Sequence, residues 1–232
     1  MAVRSATELR QRWLDSLPWM LTRPEMYATS GQAFDFAARA LMADLCFLDE
    51  REPEFEDVLA GLRAYGTLGV AGPFVAMFGE DLSCTAEVAS VFAEQFHRLG
   101  YLDVERVLDA DEWQRLIATV RGFGGRDVRL SEVVAEIGPA SLVMGKRILG
   151  YAPADGSGWV FVDCLPRHRD EYVPGKGSFT WRRDDDPLAR AVRTPATDFE
   201  AGLVLTLYGK VLRWGTAWWL DHDDDLPAAQ RA

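Results

Sequence analysis

The chain has 232 residues, of which 48% are hydrophobic and 26% charged, and a formal charge of −11. No apolar run approaches the roughly 18 residues of a membrane helix, and the negative field repels phosphate backbones, which argues against general nucleic-acid binding. The excess charge is local: residues 1–125 hold 11 basic and 20 acidic side chains, against 14 and 16 in residues 126–232. Cys46, Cys84 and Cys164 are odd in number and widely spaced, which fits neither a disulfide framework nor a zinc knuckle and points to a reducing cytoplasm. The N-terminus lacks an apolar signal-like core, since Glu8, Arg10, Arg12 and Asp15 interrupt it.

In chain order, Thr7 is placed to cap a helix with Leu9, Trp13 and Leu17 on one stripe, and Pro18 to kink or end it. Ser30 and Gly31 precede a second helix with Phe34, Ala38, Leu41, Leu45 and Leu48 at spacings of three and four. An acidic connection, Asp49 to Asp57, leads into a third helix through Val58 and Leu62. Gly66, Gly69, Gly72 and Pro73 then break the pattern. Thr85 to Leu99 is amphipathic through Val88, Val91, Phe92 and Phe96, with Gly100 at the C-terminal cap. Asp109 caps a helix that turns Trp113, Leu116 and Val120 inward. Gly122–Gly125 is a loose junction, and Ser131 to Ile137 is a short helix.

Beyond the junction the period changes. Leu142–Met144 and Ile148–Tyr151 read as strand with Gly145 as a bulge, and Asp155-Gly156-Ser157-Gly158 turns the chain into Trp159-Val160-Phe161-Val162. Phe179-Thr180-Trp181 is a further short strand. In Leu203 to Trp214 the glycines at 202, 209 and 215 weaken a helix, which favours a second hairpin. The expected class is α+β: a helical part over about 1–125 packed on a small antiparallel sheet from about 139–220, then an acidic tail over 221–232. Gly122–Gly125 is too short to link independent units, so one domain over 1–232 is expected.

Thr22-Arg23-Pro24-Glu25-Met26-Tyr27 resembles the Arg-Pro-x-Met-Tyr signature of gyrase-type ATPases, which in that family precedes a helix whose Asn holds magnesium. The corresponding segment here, Ala40-Leu41-Met42-Ala43-Asp44-Leu45, has no Asn. The Asp-x-Gly-x-Gly nucleotide motif is missing, and Asp155-Gly156-Ser157-Gly158 differs from it in spacing. By themselves these residues read as a helix entry, with Pro24 fixing φ and Met26 and Tyr27 packing inward.

Cys164, His168 and Asp170, with Asp163 and Glu171, form the densest group of reactive types: a nucleophile, a base and an orienting carboxylate. Against this, Cys164 continues the face of Val160 and Val162 and reads as a small core residue, and Arg167-His168-Arg169 reads as a solvated loop. His97 sits near helix-terminal carbonyls, where a positive imidazole is favourable. His222 among Asp221, Asp223, Asp224 and Asp225, and the run Asp184-Asp185-Asp186, read as solvated acidic segments before metal sites. Gly122–Gly125 and Gly175-Lys176-Gly177-Ser178 match no phosphate-binding fingerprint. No cofactor and no metal is expected.

The resulting expectation is a protein-binding module of the inhibitor or immunity type. Its contact strip is Asp49, Glu50, Glu52, Glu54, Glu56 and Asp57, set against a basic partner. The alternative is a small enzyme or biosynthetic accessory protein built on Cys164 and His168. Trp214, Trp218 and Trp219 read first as core, with a homodimer contact as the other reading.

Overall fold

The computed structural model describes residues 5–79, 83–166, 168–173, 178–215 and 218, the stretches 168–173 and 178–183 as backbone only. Helix α1 (Ala6–Thr22) is capped by Ser5, whose Oγ accepts from the Glu8 N–H at 3.1 Å, and it runs straight through Pro18. An internal proline costs a helix about 3 kcal/mol. Leu17, Met20 and Leu21 are buried around it, each contributing about 1.5–3 kcal/mol, so packing outweighs the break. Helix α2 (Gly31–Leu48), capped by Ser30, buries Phe34, Ala38, Leu41, Met42, Leu45 and Cys46. A tight corner, with Glu50 at φ 56°, leads to α3 (Glu52–Leu62). Helix α4 (Ala71–Phe78) lies in the segment that its Gly and Pro seemed to break. Gly72 and Pro73 fall in its first turn, where a missing N–H leaves no bond unmade.

Helix α5 (Thr85–Arg98) is the central element: every residue from Thr85 to Ala93 is buried. Helix α6 (Ala110–Arg121) starts at an Asp109–Glu112 capping box, and α7 (Leu130–Ile137) follows it. The sheet is antiparallel, in the order β1 (Leu142–Met144), β2 (Ile148–Tyr151), β3 (Val160–Leu165), β6 (Leu188–Arg193), β7 (Leu203–Leu205). Strands β4 (His168–Val173) and β5 (Ser178–Arg183) pair with each other. The fold is therefore α+β, with the helical first half packed on a C-terminal antiparallel sheet. His168 and Arg169 belong to β4 and not to a loop. Gly145 is not a bulge. With Lys146 and Arg147 it forms a three-residue turn, Gly145 and Lys146 at φ 54° and 57°, that joins β1 to β2 as a hairpin.

Both faces of the sheet are covered. Met144, Ile148 and Phe161 join the core built by α1, α2 and α5, while Leu149, Tyr151, Val160, Val162 and Ala189 pack with Trp113, Leu116, Val120 and Val133 from α6 and α7. This explains the apolar run Val160–Val162 that opens β3, where a one-sided strand would alternate. It also places α6, part of the expected helical half, on the opposite side of the sheet from α5.

The second hairpin expected over 203–214 is replaced by β7, which follows a single helical turn, α8 (Phe199–Gly202), and by a helix, α9 (Leu207–Trp214). The glycine that argued against a helix is what lets this one dock. The Thr206 hydroxyl caps α9 by accepting from the Gly209 N–H (3.1 Å) and donates to the Ala189 carbonyl (2.6 Å), while the Thr206 N–H donates to the Arg190 carbonyl (3.1 Å). A Cβ at Gly209 would overlap the Arg190 carbonyl oxygen. Gly209→Ala should therefore destabilise the protein by about 3 kcal/mol or more, by the logic of overpacking against backbone. Urea unfolding followed by far-UV circular dichroism reads this, and a loss below about 1 kcal/mol would contradict the packing described.

Candidate functional site

The seam between α5 and the sheet is polar, which the apolar stripe of α5 does not announce. Glu87, Ser90 and Glu94 lie three and four residues apart, so they share one side of the helix. They meet Arg147 and two arginines of β6, Arg190 and Arg193. Arg190 gets there through a bulge: Asp163 pairs with Ala191 and Cys164 with Ala189, which leaves Arg190 as the extra residue of β6. A bulge re-aims a side chain and restores alternation beyond it. Here it sends Arg190 toward α5 while Ala189 and Val192 both face the α6–α7 side.

At one end of the seam four charges close a ring. Glu87 pairs with both Arg190 and Arg147 (2.6 Å to the latter). Asp163 also pairs with both, at 2.7 Å to the Arg190 Nε. The Arg190 guanidinium lies 3.7 Å from the centroid of the Phe78 ring, and its side chain is 1% exposed. Burial alone would raise the Asp163 carboxyl, but Arg147 and Arg190 outweigh it and hold it below the usual carboxylate range. Two carboxylates and two guanidinium groups neutralise one another, so the ring is a structural clamp.

At the other end the charges are less completely matched. Arg193 stacks 4.1 Å over Phe161 and donates to the Ser90 hydroxyl at 3.0 Å, but its nearest approach to Glu94 is 3.9 Å, beyond hydrogen-bond reach. Burial raises the Glu94 carboxyl, against the opposing pull of Arg193 and the Trp159 N–H. Both side chains line a cleft of about 190 Å³, walled by Tyr65, Trp159 and Phe199 and bordered by Thr194–Asp198. Burial also raises the Tyr65 phenol.

The residues singled out in the sequence are scattered. Cys164 is fully buried in the α6–α7 core, and burial, then Asp163, pushes its thiol far above the ordinary range. That is the opposite of an activated thiolate. His168 and Asp170 lie on β4, with side chains outside the described residues. Asp49 is held by Arg10, at 2.6 and 2.9 Å, which also lowers its carboxyl, and Glu54 pairs with Arg51. Glu50, Glu52, Glu56 and Asp57 are exposed, and among the described residues no ion pair engages them. Phe47, in the last turn of α2 at the same corner, is 69% exposed.

The remaining motifs take structural places. Pro24–Met26 is a 3₁₀ turn in which Pro24 is buried. Met26 and Tyr27 do not pack into the core: Met26 is 74% exposed, and Tyr27 meets the Trp19 ring edge-on at the surface. His97 sits edge-on to Trp159, and burial lowers its pKa, which disfavours the positive form expected at a helix end. Asp186 accepts from the Ser131 N–H and hydroxyl, both at 2.8 Å, at the start of α7. Trp214 stacks on Trp218 with centroids 5.4 Å apart. Trp219, His222, Asp221, Asp223, Asp224 and Asp225, and Gly175, Lys176 and Gly177, lie outside the described residues. Among the described residues no group of three His, Cys, Asp or Glu is placed to hold a metal, and no helix is long and apolar enough to cross a membrane. Comparison with protein-family models, with curated proteins and with solved structures finds no match.

Two predictions follow from the seam's unequal ends. Removing one member of a buried ion pair costs about 3–5 kcal/mol, so Asp163→Asn should destabilise by that order at pH 7. Because the folded Asp163 is depressed below its unfolded value of about 3.9, its contribution is full above that pH and lost as pH falls through the folded value. The gap between wild type and variant in urea titrations should narrow below about pH 4, and a constant gap would refute the clamp. Glu94 has the opposite sign: its folded pKa is raised, so stability falls as pH rises above about 4.3. Glu94→Gln should raise the urea midpoint at pH 7 but not at pH 4, and equal midpoints at both would refute the assignment.

Proposed function

We propose that the protein is a protein-binding module of the inhibitor or immunity type, and that the α2–α3 corner is its contact surface for a basic partner. The supporting observation is the exposed Phe47 beside four carboxylates, Glu50, Glu52, Glu56 and Asp57, that no internal arginine takes up. Asp49 and Glu54 support the surface from within. The Arg10 clamp on Asp49 ties the corner to α1, and Arg51 holds Glu54 while donating to the Leu99 carbonyl at 2.7 Å. The corner is thus rigid, and a rigid surface loses less entropy on association.

The division of labour is physical. Unpaired surface carboxylates steer a basic partner and set the rate of encounter, an effect screened by salt. A large exposed aromatic anchors the complex once formed, and its loss appears in the dissociation rate. Burial of Cys164 with its raised thiol weighs against the enzyme reading.

The test uses a partner isolated on the wild-type protein. Neutralising Glu50, Glu52, Glu56 and Asp57 together to Gln and Asn should slow association about tenfold or more at low salt, with the difference closing at high salt. Phe47→Ala should instead speed dissociation, at a cost of about 2 kcal/mol in binding. Wild-type kinetics in both variants would remove the corner from the interface.

A further inference from the structure

The cleft beside Glu94 and Arg193 holds two opposite charges that are positioned but not joined. Arg193 is fixed by Phe161 beneath it and Ser90 beside it, and among the described residues the carboxylate that pairs with it, Glu94, stands 3.9 Å away, while Asp198 lies at the border of the same cleft. Glu94 is partly buried, and the pull of Arg193, the Trp159 N–H and Arg98 does not offset that burial, so its carboxyl stays raised. A ring like the one around Glu87 would have solved both problems. Here the space between the charges opens on a cleft instead.

The space is small. At about 190 Å³ it falls below the roughly 300 Å³ at which drug-sized pockets begin, and at about 30 Å³ per water it equals about six waters. Its walls away from the charges are aromatic: Trp159 is buried, and Phe199 packs edge-on against Tyr65 and Phe74. A fitting ligand is therefore compact, carries an anion and a cation close together, and ends in an apolar group.

We propose that this cleft binds a free α-amino acid with an apolar side chain, its carboxylate on Arg193, its ammonium on Glu94 and its side chain against Trp159, Tyr65 and Phe199. Guanidinium suits a carboxylate through parallel N–H donors, and a desolvated carboxylate suits an ammonium. A ligand with both groups satisfies both residues, whereas one with a single charge leaves the other residue as it stands.

Titration calorimetry tests this with L-valine, L-leucine and L-phenylalanine, each against the same carbon skeleton without its ammonium (isocaproate for leucine) or without its carboxylate (isoamylamine). The expected result is that at least one amino acid binds with Kd at or below about 1 mM, and both of its single-charge analogues bind at least about tenfold more weakly. Glu94→Gln and Arg193→Gln should each weaken binding by about tenfold or more, with circular dichroism confirming the fold. The Glu94 variant is the safer one, since it removes a partly desolvated charge. Ala64→Trp, at an exposed position on the rim, should abolish binding while leaving the core untouched. Binding by none of the three amino acids overturns the proposal. So does an analogue that binds as well as its amino acid, or an Ala64→Trp variant that binds normally.

Discussion

The ring of Glu87, Arg147, Asp163 and Arg190 is the constraint around which the rest of the structure is arranged. It joins α5, the turn between β1 and β2, β3 and β6 at one buried point. A buried ion pair is weak evidence of stability in itself, because desolvation consumes most of the attraction. Its strength lies in what it forbids. Each carboxylate needs both arginines, so α5 cannot slide along the sheet, and β6 cannot shift its register, without leaving a charge buried and alone. An apolar seam would tolerate such shifts at the expense of a few contacts.

The bulge in β6 is the local condition for that ring, and α9 is the condition for the bulge. Without an extra residue, Arg190 would follow the alternation of its neighbours and face the apolar α6–α7 core, where no carboxylate waits. Thr206 and Gly209 hold the bulged backbone from outside, through two hydrogen bonds and a contact too close for any side chain. The chain thus assembles its charged centre from residues 87, 147, 163 and 190 and supports it from residue 206 onward.

This explains which parts of the molecule could be read from sequence. Helices α2, α5, α6 and α7 announce themselves because Ser30 and Asp109 cap two of them and because the inward residues of α5 and α6, such as Val88, Phe92, Trp113 and Leu116, recur at helical spacing. Strand β3 announces itself through Val160, Phe161 and Val162. Glycine and proline misled where tertiary packing overrode local preference: Pro18 inside α1, Gly72 and Pro73 opening α4, Gly209 inside α9. The polar seam carried one faint local signal, since Glu87, Ser90 and Glu94 lie along one line of a helix whose positions between Ala86 and Ala93 are otherwise apolar. Nothing in the sequence pairs that line with Arg147, Arg190 and Arg193, up to 103 residues away. The residues that looked reactive, Cys164 and His168, were chosen by type, and type does not report burial.

The two ends of the seam differ in one respect that decides where chemistry is available. At Glu87 every charge meets two opposite partners and the side chains are almost wholly enclosed, so a ligand has nothing to offer there. At Glu94 the same helix face meets Arg193, held by Phe161 and Ser90 at a distance too long for a direct bond, with Arg98 acting on the carboxyl more weakly. Extending the ring by one more carboxylate or guanidinium would have sealed the cleft and stabilised the carboxyl. The fold instead leaves a partly buried acid raised by its surroundings beside a fixed cation. Such a group costs stability, and a natural chain that keeps it has a mismatched pair where a clamp would have served the fold better. That contrast within one seam, more than the cleft's size or shape, is the reason to regard the Glu94–Arg193 end as a working site and the Glu87 end as scaffold.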